Sequence, residues 1–137
     1  MIIHPYLTFN GNCEEAMTFY QSVFGGEFTA QQRFSEALGN DVDPADADRM
    51  MHMSLPVGDS ALMASDTTSD MDPVPSGHDV SLSVDPEDVD EARRIFDALA
   101  EGGTVTLAFE PQFWGDWFGS CTDRFGIDWM VNASAGD

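Results

Sequence analysis

Hydrophobic positions along this chain follow two periodicities, and the switches between them mark its elements. Residues 6–9 (Tyr-Leu-Thr-Phe) and 80–84 (Val-Ser-Leu-Ser-Val) read as strands, the second alternating cleanly. Each is followed by helical spacing. Over residues 13–24, Ala16, Tyr20 and Val23 line up with Met17 and Phe24 in one apolar stripe. Asn12 is the expected cap, with Glu15 three residues on, and Gly25 or Gly26 supplies the left-handed stop. The second helix is expected at about 87–101. Asp85 is its cap, Pro86 its first residue, and Val89, Ala92, Phe96 and Leu99 form its buried face. Further strands are expected at 28–34, 50–57 and 60–65 after the first helix. After the second they fall at 104–109, 117–122 and 128–132. Residues 36–48 (EALGNDVDPADAD) read as a solvated acidic loop.

The two halves repeat. Glu15-Ala16 answers Glu91-Ala92, and Gly25-Gly26 answers Gly102-Gly103, 76 or 77 residues apart. Each half therefore reads β-α-β-β-β. The expected organisation is one domain over 1–137, with module one at about 1–66 and module two at about 79–134. Between them lies a Pro-, Gly- and Asp-rich linker at about 67–78.

Composition narrows the partners. The chain has 137 residues, 42% of them hydrophobic, which is enough for a packed core. Its net charge is −20, its five basic residues are all arginine, and it has no lysine. That field repels nucleic acid and anionic membrane surfaces, and the missing lysine removes Schiff-base chemistry. An acidic, lysine-free surface is the composition expected of a protein working in concentrated salt, where repulsion is screened. No run of 18 apolar residues and no signal-peptide pattern is present, so the expected compartment is the cytoplasm. Two cysteines, Cys13 and Cys121, give neither a disulfide framework nor a metal-knuckle spacing.

Several segments carry a family resemblance. They are His4-Pro-Tyr-Leu-Thr-Phe-Asn-Gly-Asn-Cys-Glu-Glu-Ala-Met-Thr-Phe-Tyr20, Phe24-Gly-Gly26, Met51-His-Met53, Gly58-Asp59 and Leu62-Met-Ala-Ser-Asp66. Phe113-Trp-Gly-Asp-Trp-Phe-Gly119 and Thr122-Asp-Arg-Phe-Gly-Ile-Asp-Trp-Met-Val131 complete the set, which covers nearly the whole chain. Together they resemble the vicinal oxygen chelate superfamily of glyoxalase I, bleomycin-resistance proteins and extradiol dioxygenases. Within it they resemble the PhnB-like group, labelled 3-demethylubiquinone methyltransferase-like. The resemblance implies an α+β fold of two βαβββ modules, with an eight-stranded cupped mixed sheet, helices outside, and a homodimer. The methyltransferase label finds no support in the residues, because no Gly-rich strand–loop–helix for a nucleotide-like methyl donor occurs.

In metal-using members, the first and last strands of each module supply four nitrogen and oxygen ligands to a divalent ion. Tested slot by slot, the first falls at His4 or Tyr6, the second at Asp66, late in its strand, and the third near His78 or Asp79. The fourth, counted from Gly126, holds Met130, whose thioether is a poor partner for a hard dication. The metal set and any cofactor stay unassigned on this reading.

Four further features bear on chemistry. His52 shares a strand face with Ser54, as a pocket base or as a histidine bonded to its neighbours. Asp66 either orients His52 or caps the turn that follows it. Phe113–Phe118 packs four aromatics beside two glycines, so Trp114 and Trp117 are candidates for a pocket wall, a core or an interface. Cys13, beside Glu14 and Glu15, is expected to be structural, and the acidic run 41–48 lacks the glycine and closing glutamate of a calcium loop.

The expected activity is small-molecule binding without the full metal site. Its candidate catalytic residues are His52 and Asp66, and its candidate ligand-binding residues are His4, Tyr6, Trp114 and Trp117. The alternative is a divalent-metal-dependent lyase, isomerase or dioxygenase acting on an oxygen-chelating substrate.

Overall fold

The computed structural model describes residues 1–135. The chain divides into two compact units, Met1–Pro75 and Ser76–Asp137.

The first unit holds β1 (Tyr6–Phe9), α1 (Cys13–Phe24), β2 (Ala30–Arg33), α2 (Phe34–Leu38), a turn of 3-10 helix (Gly39–Asp41), β3 (Met50–Val57) and β4 (Ser60–Asp66). Its four strands form one mixed sheet in the order β1-β4-β3-β2, with β1 parallel to β4 and the other pairs antiparallel. Register decides what is buried. Met53 sits opposite Ala64, and Leu55 opposite Leu62. These four side chains, with Phe9, are buried together with Ala16, Met17, Tyr20 and Val23 of α1. The intervening positions, Tyr6, Thr8, His52, Ser54, Met63 and Ser65, fall on the sheet face away from the helix.

The second unit repeats the plan with β5 (Leu82–Val84), α3 (Val89–Ala100), β6 (Thr104–Pro111), β7 (Trp117–Thr122) and β8 (Asp128–Ala133). The sheet order is β5-β8-β7-β6, again with one parallel pair. Ala92, Ile95, Phe96 and Leu99 of α3 are buried with Cys121, Trp129, Val131 and Ala133. Gly119 makes this packing possible. A Cβ there would stand 2.8 Å from Phe109 Cα and 2.9 Å from the Phe96 ring.

Three expectations are corrected. Asn12 makes no side-chain cap on α1, because Asp66 takes that role from across the sheet. The second helix begins at Val89, not near 87, and its cap is Asp88, whose carboxylate accepts the Glu91 N–H at 2.7 Å. Asp88 stands three residues before Glu91, the right separation for capping, and Asp85 stands too early. The acidic stretch 36–48 is only partly a solvated loop. It contains most of α2 and the 3-10 turn, and Asp46 is buried, accepting both the N–H and the hydroxyl of Ser69.

The segment following β4 is also held to the first unit. Asn10 bonds both the N–H and the carbonyl of Val74, and Arg49 donates to the Thr67 carbonyl at 2.8 Å.

Candidate functional site

The face of the first sheet away from α1 carries one polar pair. The Tyr6 hydroxyl lies 3.0 Å from His52 Nδ1, and the two rings stack with centroids 5.7 Å apart. Alternation puts Tyr6 on this face from β1, and His52 reaches it from β3. With the ring proton on Nε2, the phenol donates to Nδ1, and Nε2–H is left as a donor.

Asp66 does not join them. Its register partner is Phe9, on the helix side of the sheet, and it is 4% exposed. One carboxylate oxygen accepts the N–H groups of Gly11 and Cys13, each at 2.9 Å, and the other accepts the Met50 N–H at 2.9 Å. Asp66 therefore ties the start of α1 to the start of β3. It neither orients His52 nor caps the turn that follows it. His4 is engaged too, since its Nδ1 accepts the Ala61 N–H at 3.0 Å, with the Ser60 hydroxyl 3.3 Å away. That lone pair is spent on the β3–β4 turn, so Nδ1 is not free to ligate an ion.

The second sheet presents a different surface on its face away from α3. Alternation along β7 and β8 places Ser120 and Thr122 beside Met130 and Asp128, their register partners. A concavity of 540 Å³ opens over them. Its lining includes the hydroxyls of Ser81, Thr104, Thr106, Ser120 and Thr122, with His78, Asp128 and Met130. The oxygens form bonded pairs. Thr106 and Ser120 hydroxyls are 2.7 Å apart, and the Thr122 hydroxyl donates to Asp128 Oδ1 at 2.6 Å.

His78 Nδ1 completes this arrangement, 2.7 Å from Asp128 Oδ2. The Asp128 side chain is 13% exposed and that of His78 is 72% exposed. Partial burial alone pushes the Asp128 carboxyl upward. The bonds from Thr122 and His78, and the charge of His78, outweigh that and hold it below its ordinary value. The carboxylate is thus kept ionised at the concavity, and it fixes the imidazole with Nε2 turned outward.

The aromatic segment divides. Trp117 lies opposite Ala133 on the helix side of the sheet, 5.6 Å from the Phe109 ring, with the Arg93 guanidinium 5.2 Å from its own ring centre. Trp114 packs edge-on against Phe113 and Phe118, while Phe113 is 97% exposed at the tip of the hairpin. Neither Trp114 nor Trp117 is among the residues that line the concavity.

The divalent metal that the resemblance implies needs several nitrogen and oxygen donors brought together. Among the described residues of each unit, no three His, Cys, Asp or Glu side chains come together to hold an ion. In the first unit His4 Nδ1 and both oxygens of Asp66 accept backbone N–H groups. In the second, Met130 stands between Asp128 and Asn132 on the strand face where a hard donor is needed. The donor set within each unit does not fit the group.

The sequence pattern alone does not single out the hydroxyl ladder or Asp128. A signal was available in the polar alternation of Thr104 and Thr106 and of Ser120 and Thr122, on strands whose other positions are mostly apolar or small.

Comparison with known proteins agrees with this architecture. Protein YjdN of Escherichia coli K12 is 33% identical over 145 residues, spanning 96% of this chain and 95% of that one. The crystal structure of protein PA1353 from Pseudomonas aeruginosa superposes with a TM-score of 0.85 at 44% identity, covering 98% of each chain. A glyoxylase/bleomycin resistance protein/dioxygenase domain from Frankia sp. EAN1pec shares the fold, with a TM-score of 0.65 at 16% identity over 98% of this chain and 97% of that one. The sequence profile of 3-demethylubiquinone-9 3-methyltransferase matches residues 2–132. The chain belongs to that family, and it shares the fold of the glyoxylase/bleomycin resistance protein/dioxygenase domain.

Proposed function

We propose that this protein binds a small molecule on the second sheet, in the concavity between His78, Asp128 and the hydroxyls of β6 and β7, and that it does so without a complete metal site. The observation that carries this reading is the convergence there of five hydroxyls, an ionised carboxylate and an outward-facing imidazole around 540 Å³ of space. A pocket of that volume with a few convergent polar groups is the usual form of a small-ligand site. The superfamily fold is compatible with it. The family's methyltransferase name is not carried over, because no Gly-rich strand–loop–helix for a nucleotide-like methyl donor lines the concavity.

A screen of small fragments against 15N-labelled protein tests it. Hits are expected to move the amides of Thr104, Thr106, Ser120, Thr122 and Asp128. Hits that cluster at Tyr6 and His52 instead would transfer the site to the first sheet. The Tyr6–His52 pair supports that second reading, because a phenol bonded to an imidazole can relay a proton.

The protein is read as a cytoplasmic homodimer. Among the described residues, no helix is long and apolar enough to cross a membrane. Light scattering in molar KCl checks the dimer directly, and a mass of 15.0 kDa in place of twice that value overturns it.

A further inference from the structure

We propose, building on the ligand site assigned above, that the concavity selects a small organic ammonium ion and rejects carboxylates. Its lining supplies acceptors and no fixed cation. The five hydroxyls are each able to accept, Asp128 is an ionised carboxylate, and Met130 contributes a thioether.

None of the five arginines is among the lining residues, and the chain has no lysine. Arg93 sits over the Phe109 and Trp117 rings, and Arg124 donates to the Glu101 carbonyl. His78 is the one lining group able to carry positive charge, and it already faces Asp128 at 2.7 Å. An anionic ligand would therefore meet Asp128 without a compensating guanidinium or ammonium.

A ligand with N–H donors and positive charge meets the opposite situation. Its ammonium can donate to the Ser120, Thr106 and Thr122 oxygens while lying within the field of Asp128. The Met130 side chain offers apolar contact to its carbon skeleton. The charge of −20 on the whole chain raises the local concentration of cations and lowers that of anions around this opening.

Phenethylamine, 2-phenylethanol and phenylacetate share one skeleton and differ at the terminal group, so they isolate the charge. Each is titrated into 15N-labelled protein at fixed ionic strength and pH 7.5, and the amides of residues 104, 106, 120, 122 and 128 are followed. Phenethylamine is expected to bind about tenfold or more tightly than the alcohol, a difference of about 1.4 kcal/mol. Phenylacetate is expected to leave those amides unmoved. Asp128→Asn keeps an acceptor for Thr122 and removes the charge, and it should bring the amine down to the alcohol.

Equal binding of all three at these amides would overturn the ammonium preference and leave the site standing. Tighter binding of phenylacetate would do the same. If no probe moves these amides, the assignment of the site fails and the preference fails with it. The comparison of probes on the unaltered protein keeps the proposal testable even if Asp128→Asn does not fold.

Discussion

Asp66 and Cys13 lie 53 residues apart and meet at 2.9 Å, the carboxylate accepting the first N–H of α1. The same carboxylate also holds Gly11 and Met50. A helix begins with N–H groups that lack intrahelical partners, and an anion there also faces the favourable end of the helix dipole. Replacing Asp66 by Ala leaves three backbone donors without their acceptor, two of them bonded in buried surroundings and the third in partly buried ones. The expected loss is about 2–4 kcal/mol, read as a lower urea midpoint. Asp66→Asn, which keeps one acceptor oxygen, should lose less. An Ala variant as stable as the parent would show that water replaces these bonds without cost.

The same residue shows what was legible in the sequence. Strand and helix spans were readable because periodicity is a local property, and β1, α1, β3 and β7 begin and end where the pattern places them. The partners of a side chain are not local. Asp66 stands next to the Pro- and Gly-rich segment, and alternation alone cannot say that β1 and β4 pair in parallel and turn the carboxylate toward α1. His52 was placed on the correct face by alternation with Ser54, but its bond to Tyr6 depends on the order β1-β4-β3, which a sequence does not print. Asp128 and the hydroxyl ladder are harder to read, because polar alternation marks one face of a strand without saying that β6, β7 and β8 pair and gather those faces together.

Gly119 sets a packing limit in the second unit. It is buried beneath Phe96 and beside Phe109, with no room for a methyl group. Gly119→Ala must push either the β6 backbone or the α3 ring, and overpacking of this kind costs about 1–3 kcal/mol. Chemical denaturation should show the loss. The variant with Phe96→Leu added is expected to recover part of it, because the clash with the ring is then relieved.

Asp128 gives the acid limb a predictable shape. Its carboxyl is held below its ordinary value in the folded chain, so the folded protein keeps it ionised at pH values where the unfolded chain has begun to protonate it. Its contribution is complete above the unfolded aspartate value of about 3.9 and is lost as pH falls through the lower folded value. Urea midpoints at steps from pH 6 to pH 2 should fall more steeply for the parent than for Asp128→Asn. Parallel curves would mean that the bonds from Thr122 and His78 persist equally in the unfolded chain.

Both thiols should be silent in the native protein. Cys13 and Cys121 are buried and unpaired by disulfide. Burial pushes the Cys13 thiol up to about 12, with Asp66 and Glu14 adding to the effect. Burial and the charges of Asp123 and Asp128 push Cys121 up to about 11. Thiolate is the reacting form, so a disulfide reagent at pH 8 is expected to label neither cysteine until denaturant is added. Labelling at a rate equal to that in 6 M urea would show that one of the two sites opens freely.

The excess of acid over base sets the response to salt. With 25 acidic residues and five arginines, most carboxylates have no guanidinium available to them. Arg33 is already committed, its side chain 2.6 Å from Glu14 and 2.8 Å from the Asp48 carbonyl. The remaining like charges repel over about 10 Å at 0.1 M salt and over about 3 Å at 1 M. Folding brings them together, so screening favours the folded chain. Thermal midpoints in KCl should rise by about 5 °C or more between 0.1 and 2 M, corresponding to roughly 1 kcal/mol for a domain of this size. The rise should shrink at pH 4, where protonation removes much of the negative charge. A midpoint that ignores KCl at pH 7.5 would show that the acidic surface is tolerated without screening, and the reading of this protein as one suited to concentrated salt would fall.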